Sequence, residues 1–311
     1  MINRELIRTK VIQLVYTNFK NEGKSLEDAV KELSFSLDKS YELYHYLLLL
    51  IPEITDYARE VYETNCERVK TLGGTNYPNA RFVNNRFAAQ MSENKILSNF
   101  SETHKTHRWT EDESIIRILY KQIIESPLYE SYLNSNEDSY EADKNFWRHI
   151  YKNVLCNNEN LSSLLEEWSI YWNDDKDIID TFVIKTIKHC EEKNGADQPL
   201  LPAYQGEEDK EFAKSLFSSV LLHRSEYEDM IRQSAKNWKL DRMLIMDRVI
   251  LVTAIAEMLN FPEIGKQVTF NEYLELAKVY SSPKSSAYIN GVLDHVIKNN
   301  SNEHILNKKS L

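Results

Sequence analysis

Apolar residues recur at helical spacing from one end of the chain to the other. Leu6, Ile7, Val11, Leu14 and Val15 fall on one side of residues 2–20, with Arg4, Arg8 and Lys10 elsewhere around the helix. Leu26, Ala29, Val30, Leu33 and Leu37 repeat the period, behind Ser25 as N-cap and Asp28 in the first turn. An apolar-rich segment from Tyr41 to Val69 predicts a long helix that stops near Gly73–Gly74, where GGTNYPN reads as a loop. Two helices are expected in 79–134, broken around Ser101–Thr110, with Ser126–Pro127 punctuating the second. Three more fit 141–156, 159–172 and 175–192. The segment NGADQPLLPAYQGEEDK is the best linker. Beyond it the pattern is helical to about Lys298, and the polar end is expected to fray.

The last third is the most informative. Residues 240–259 are apolar on almost every face (Leu244, Ile245, Met246, Val249, Ile250, Leu251, Ile255, Met258, Leu259), as suits a buried central helix. Asn260–Phe261–Pro262 ends it. Thr269 and Glu272 have the spacing of a capping box and predict the start of a helix packing through Leu276, Ala277 and Tyr280. Ser282–Pro283 predicts another start, with Ile289, Val292, Leu293, Val296 and Ile297 as the buried stripe. Inside that helix stands Asn290–Gly291. Glycine there costs about 1 kcal/mol relative to alanine, so the pair is expected chiefly to allow close packing against its backbone, contact with a ligand being the alternative. Phe146, Val154, Leu155, Trp172, Asp175, Val183 and Ile184 match Phe212, Val220, Leu221, Trp238, Asp241, Val249 and Ile250 at one constant offset. Chance and an internal copy account for this echo equally well.

Composition narrows the class. Only 7 glycines and 7 prolines in 311 residues are too few for an all-β chain or many βα loops, so an all-α fold is predicted. The net charge of -10 offers no global attraction to a polyanion; a nucleic-acid site must be a local patch. Cys66, Cys156 and Cys190 form no CxxC pair and suit a reducing compartment. The first ten residues are not a signal peptide, and the apolar run Leu47–Ile51 is far too short to span a bilayer, so a cytoplasmic protein is expected. Asp174, Asp175 and Asp177 miss the D-D-x-x-D pattern of an all-α magnesium enzyme, and His104 and His107 lack a third ligand. No phosphate loop, nucleophile elbow or dinucleotide fingerprint is present. No catalytic activity, metal or cofactor is expected.

Three ordered pieces resemble the NusB family of bacterial transcription antitermination factors. They are D-R-x-x-x-x-D-R-V-I-L-x-x-A-x-x-E-M-L from Asp241, F-N-E-Y-L-E-L-A-K from Phe270 and S-x-Y-I-N-G-V-L-D from Ser286. The start, with Arg4, Arg8, Gln13 and Tyr16, is similar to that family's arginine-rich first helix, although Glu5, Leu6 and Ile7 interrupt it here. The resemblance implies two packed helical subdomains enlarged by an insertion. The expected divisions are 1–22 as first helix, 23–205 as helical insertion, 206–300 as the C-terminal helical domain and 301–311 as a tail. It also implies a non-enzymatic factor that binds single-stranded boxA-like RNA of ribosomal RNA operons with the ribosomal protein NusE, within the transcription elongation complex.

On that reading the RNA-binding residues are Arg4, Arg8, Lys10, Tyr16, Lys284, Ser286, Tyr288 and Asn290. Arg4 and Arg8 share one helix face, and guanidinium groups suit phosphate. Tyr16 fits a core position and a stacking platform equally; Tyr288 stands where the family carries an aromatic. Lys284 and Ser286 lie near a helix N-terminus, where the backbone dipole favours an anion. The reading requires the first helix to lie against the last. The alternative is a protein–protein adaptor that kept the fold and lost RNA. An appendage of a ribosomal RNA methyltransferase would need a following α/β domain that the sequence does not contain. The acidic segment 159–211 is expected to be a solvated surface, with a basic partner as the other reading.

Overall fold

The computed structural model describes residues 1–21, 23–104, 109, 113–234 and 243–300, with side chains described to 298. Among the described residues every regular element is helical, and no strand occurs. Trp238, Asp241 and Arg242 of the sequence signals, His107 and the tail from 301 lie outside the described residues.

The chain divides into two compact units. One comprises Met1 with Lys39–Ala203, the other Ile2–Asp38 with Tyr204 onward. The first division falls inside a helix. Residues 26–37 and 41–69 do not form two helices but one, α2 (Leu26–Thr71), after α1 (Arg4–Lys20). Ser25 Oγ accepts from Asp28 N–H (3.1 Å), as its position predicts. Pro52 lies inside α2 and does not end it. Its ring removes one donor, but Ile51 and Ile54 around it are buried, and apolar burial outweighs the lost bond. Gly73 adopts φ 67°, the left-handed conformation that closes a helix, and Gly74 N–H returns to Val69 O (2.9 Å).

The unit centred on residues 39–203 adds four helices where two were expected in 79–134: α3 (Arg86–Glu93), α4 (Lys95–Thr103), α5 (Glu113–Ile124) and α6 (Pro127–Asn134). Asn94 ends α3 and caps α4, its Oδ1 accepting from Ile96 and Leu97. A single Asn thus serves as stop and start, which period counting does not resolve. Then follow α7 (Tyr140–Ile150), a π-helical turn (Tyr151–Leu155), α8 (Glu159–Trp168) and α9 (Lys176–His189). The π turn frees carbonyls, and the buried Lys176 ammonium answers them, donating to Leu155 O (3.3 Å), Cys156 O and Asp180 Oδ2 (2.7 Å). Tyr151 completes the group by donating to Asp180 Oδ1 (2.7 Å).

The other unit holds α1, the start of α2, α10 (Glu207–Leu222), α11 (Arg224–Ser234), α12 (Ile245–Asn260), α13 (Lys266–Tyr280) and α14 (Ser285–Asn300). Central α12 is buried on nearly every face and packs against α1, α10, α11, α13 and α14. At the offset of the sequence echo, α7 with its π turn, α8 and α9 correspond to α10, α11 and α12, with starts agreeing within a few residues. The echo therefore extends from single residues to the order and length of three helices.

Candidate nucleic-acid interface

Helix α1 is enclosed on more sides than its apolar stripe indicated. Ile12 joins the buried set, and Lys10 stands one turn from Leu6, Ile7 and Leu14 on the same buried face. Lys10 is 1% exposed and Arg8 3%. Neither side chain is presented to solvent as the sequence reading required, which corrects the picture of an open arginine face.

Arg8 is consumed inside the fold. Its Nε and a terminal nitrogen donate to the two oxygens of Glu257 (2.8 and 2.9 Å), and its other terminal nitrogen donates to Glu272 (3.2 Å). Glu257 is 0% exposed; Thr269 (2.8 Å) and Tyr273 (3.0 Å) also donate to it. Burial works to lower the Arg8 pKa, but the hydrogen bonds and charges of Glu257 and Glu272 outweigh it and the value is raised. Burial and the Glu257 charge hold the Tyr273 phenol well above its ordinary range.

This hub also replaces the expected capping box. α13 starts at Lys266 after Gly265; Thr269 lies inside the helix with its hydroxyl on Glu257, and Glu272 turns to Arg8. A buried carboxylate demands donors more strongly than a helix start does, so the tertiary partner wins. The signal for the hub was legible: Glu257 is the one acid in the interior of the most apolar helix, beyond Asp247 in its first turn, and such a charge needs a buried cation.

Arg4 remains half-exposed. It reaches Asp209 (3.4 Å) and lies over the Phe212 ring (5.0 Å), whose other near cation is Arg8 (5.7 Å). Tyr16 is half-buried, with Lys20 over its ring (5.7 Å). At the far end, Lys284 and Asn290 are exposed and Ser286 and Tyr288 half-buried. The Tyr288 hydroxyl is enclosed, and burial, then the Asp247 charge, raises its pKa. Lys284 and Tyr288 stand one turn apart, as do Ser286 and Asn290. α14 begins at Ser285, two residues later than Ser282–Pro283 suggested, because Ser282 and Ser285 form a closed turn (Oγ to Oγ 2.8 Å) before it.

The expected seating of α1 directly on α14 is also revised. The main partners of α1 are α10 and α12, and α14 packs on α11, α12 and α13, so α12 stands in common between them. The first helix still reaches the end of α13 at one place. Gln13 Nε2 donates to the Tyr280 hydroxyl (3.4 Å), at the end of α13 and four residues before Lys284. Tyr16 is one turn beyond Gln13 on α1, and Lys20 one turn beyond Tyr16. Arg4 is roughly 18 Å farther back along the helix than Tyr16 at 1.5 Å per residue. Lys20 was not among the sequence candidates; its spacing of four from Tyr16 was the available signal.

Gly291 departs most from expectation. A Cβ built on it meets nothing within 4 Å, and the residue is exposed, as is Asn290. No packed neighbour among the described residues requires glycine there, which goes against the close-packing role.

No helix among the described residues is long and apolar enough to cross a membrane, and none of their His, Cys, Asp and Glu side chains form a group of three able to hold a metal ion. The sequence profile described as the NusB family matches residues 181–298. A Salinibacter ruber protein named transcription antitermination protein NusB is 33% identical over 132 residues, covering 40% of this chain and 82% of the relative. A Bacillus mycoides protein of the same name is 42% identical over 92 residues, 30% of this chain and 71% of the relative. The like-named Dictyoglomus thermophilum protein is 42% identical over 88 residues, and the match spans 61% of its length and 28% of this chain. With the buried α1–α12–α13 hub and the Asn-Gly helix in place, these matches show that the chain belongs to the NusB family.

Proposed function

We propose that this chain is a non-enzymatic transcription antitermination factor of the cytoplasm. It holds single-stranded boxA-like RNA of ribosomal RNA operons jointly with NusE in the elongation complex. The observation that carries this reading is the hydrogen bond from Gln13 of α1 to Tyr280 at the end of α13, which brings the first helix to the chain segment that leads into α14. Tyr16, Lys20, Lys284, Tyr288 and Asn290 supply half-exposed rings beside cations, the combination that single-stranded RNA uses for stacking and phosphate contact. Arg4 adds a guanidinium farther along the backbone path, and Ser286 a hydroxyl donor. The open surface at Gly291 suits an external backbone or base passing close to α14.

One finding favours the second reading, an adaptor without RNA. Two of the cations counted for RNA, Arg8 and Lys10, are spent inside the fold. A salt series separates the two. Fluorescence anisotropy of a labelled boxA-like oligonucleotide with the full chain, with and without NusE, should give binding that weakens linearly as the logarithm of salt rises. Absence of binding at low salt, with NusE present, establishes the adaptor instead.

A further inference from the structure

We infer that the unit centred on residues 39–203 carries a binding site for a cationic side chain, and that its occupant is an arginine- or lysine-bearing segment of a basic partner protein. The site is a cavity of about 340 Å³ between α2, α4 and Trp109. Its aromatic wall is Tyr46, Phe100, His104 and Trp109; its carboxylates are Glu53, Asp56 and Glu102.

The wall is held in place. Phe100 is sandwiched between His45 (4.7 Å) and His104 (4.2 Å), both nearly parallel to it, and Tyr46 meets it edge-on (5.0 Å). Trp109 is anchored by its indole N–H on Tyr46 O (2.8 Å). Burial pushes the Tyr46 phenol up to about 12 and His45 down to about 4, so neither ring carries charge near neutrality. Asp56 is bridged to Arg59, one turn away. Glu53 is different. It is half-buried, it lies one turn from Asp56, and no described residue pairs with it. Burial and then the Asp56 charge raise its pKa.

A half-buried carboxylate without a cation is a cost to the fold. A cation brought into the cavity removes that cost and finds ring faces as well. An anion meets three carboxylates, and a neutral ligand leaves Glu53 uncompensated. The size of the occupant follows from the charge around the cavity. This unit contains 27 acidic and 18 basic residues, against 21 and 20 in the other. Nearly all the net negative charge of the chain thus belongs to the unit that carries the cavity, a balance that favours a polycation over one small ion.

The test uses the full chain and a labelled arginine-rich peptide, with the same peptide carrying citrulline as control. Binding of the arginine peptide and not of the citrulline peptide is expected. Glu53→Gln should weaken it on the order of tenfold, while the melting temperature stays level or rises, because the substitution removes an uncompensated charge. The exposed pair Glu166→Gln/Glu167→Gln, in the same unit but not lining the cavity, should leave affinity within about twofold. Should Glu53→Gln fold poorly, Glu102→Gln takes its place. Equal binding of the citrulline peptide, equal affinity of the cavity variant, or no binding overturns the proposal. Full competition by tetramethylammonium at matched concentration assigns the cavity to a small organic cation and overturns the protein partner.

Discussion

In each unit a buried basic side chain meets a buried carboxylate, and the two pairs hold together different levels of structure. Arg8 and Glu257 lie 249 residues apart in sequence and, with Glu272, tie α1, α12 and α13. Lys176 and Asp180 lie in one helix, and the ammonium serves the freed carbonyls of the π turn. The guanidinium, planar and forked, satisfies a carboxylate bidentately while reaching a second; the ammonium, a compact charge, collects scattered oxygens. The residue type follows the geometry to be satisfied, not the charge alone.

The comparison breaks first at Arg8. Arg8→Ala strands Glu257 in the core and should cost roughly 3–5 kcal/mol in denaturant unfolding. Arg8→Met with Glu257→Met should recover most of it. A loss below 1 kcal/mol for the single variant would show that the hub is not a tertiary staple.

Lys176→Met should cost less, about 2 kcal/mol, because Asp180 can take a proton. Burial raises the Asp180 pKa even though Lys176 opposes it. The native state then holds the proton to higher pH than the unfolded chain, so this carboxyl lowers stability as pH rises through its native value. Without Lys176 that window widens upward. The deficit of the variant should therefore be smallest in mild acid and grow toward neutrality; a flat difference across pH would refute the local role.

Surface cations come next. Lys284→Ala should weaken oligonucleotide binding several-fold and reduce the salt slope by about 1, with stability changed by less than 1 kcal/mol. Arg4→Ala should act the same way but more weakly, since Asp209 already neutralises part of its charge. Equal slopes for variant and parent would remove either residue from the RNA path.

The smallest effect is expected at Gly291. With open space around it, Gly291→Ala should raise the stability of α14 by up to about 1 kcal/mol. If RNA or NusE binding falls at the same time, the glycine is retained for a partner; if neither changes, it is not.

Helical class, the loop at 73–80, the cap at Ser25 and the buried, largely apolar α12 followed from periodicity and turn chemistry, because these depend on neighbours a few residues apart. The partners of Arg8 did not. Which charge enters the core is decided by residues hundreds of positions away, and an i,i+4 pair of arginines reads the same on an open face as beside a buried acid. Asn290–Gly291 was noticed for a sound reason, the cost of a mid-helix glycine, but spacing alone cannot distinguish a neighbour inside the molecule from one outside it.

The unbroken α2 has a practical corollary for anyone trimming the chain. Ala29, Leu33 and Leu37 are buried in the same unit as α1 and α10–α14, so excision at residue 22 would strip that unit of core. The natural cut points are Asp38 and Tyr204. The Asp38 carboxylate lies near enough to the Tyr204 phenol to help burial push it to about 12. Nearby, the Tyr41 hydroxyl donates to Leu201 O (3.1 Å), so the two stretches that bound residues 39–203 come together. A short glycine-containing splice across them should yield a free-standing miniature, the natural starting material for asking what residues 39–203 contribute.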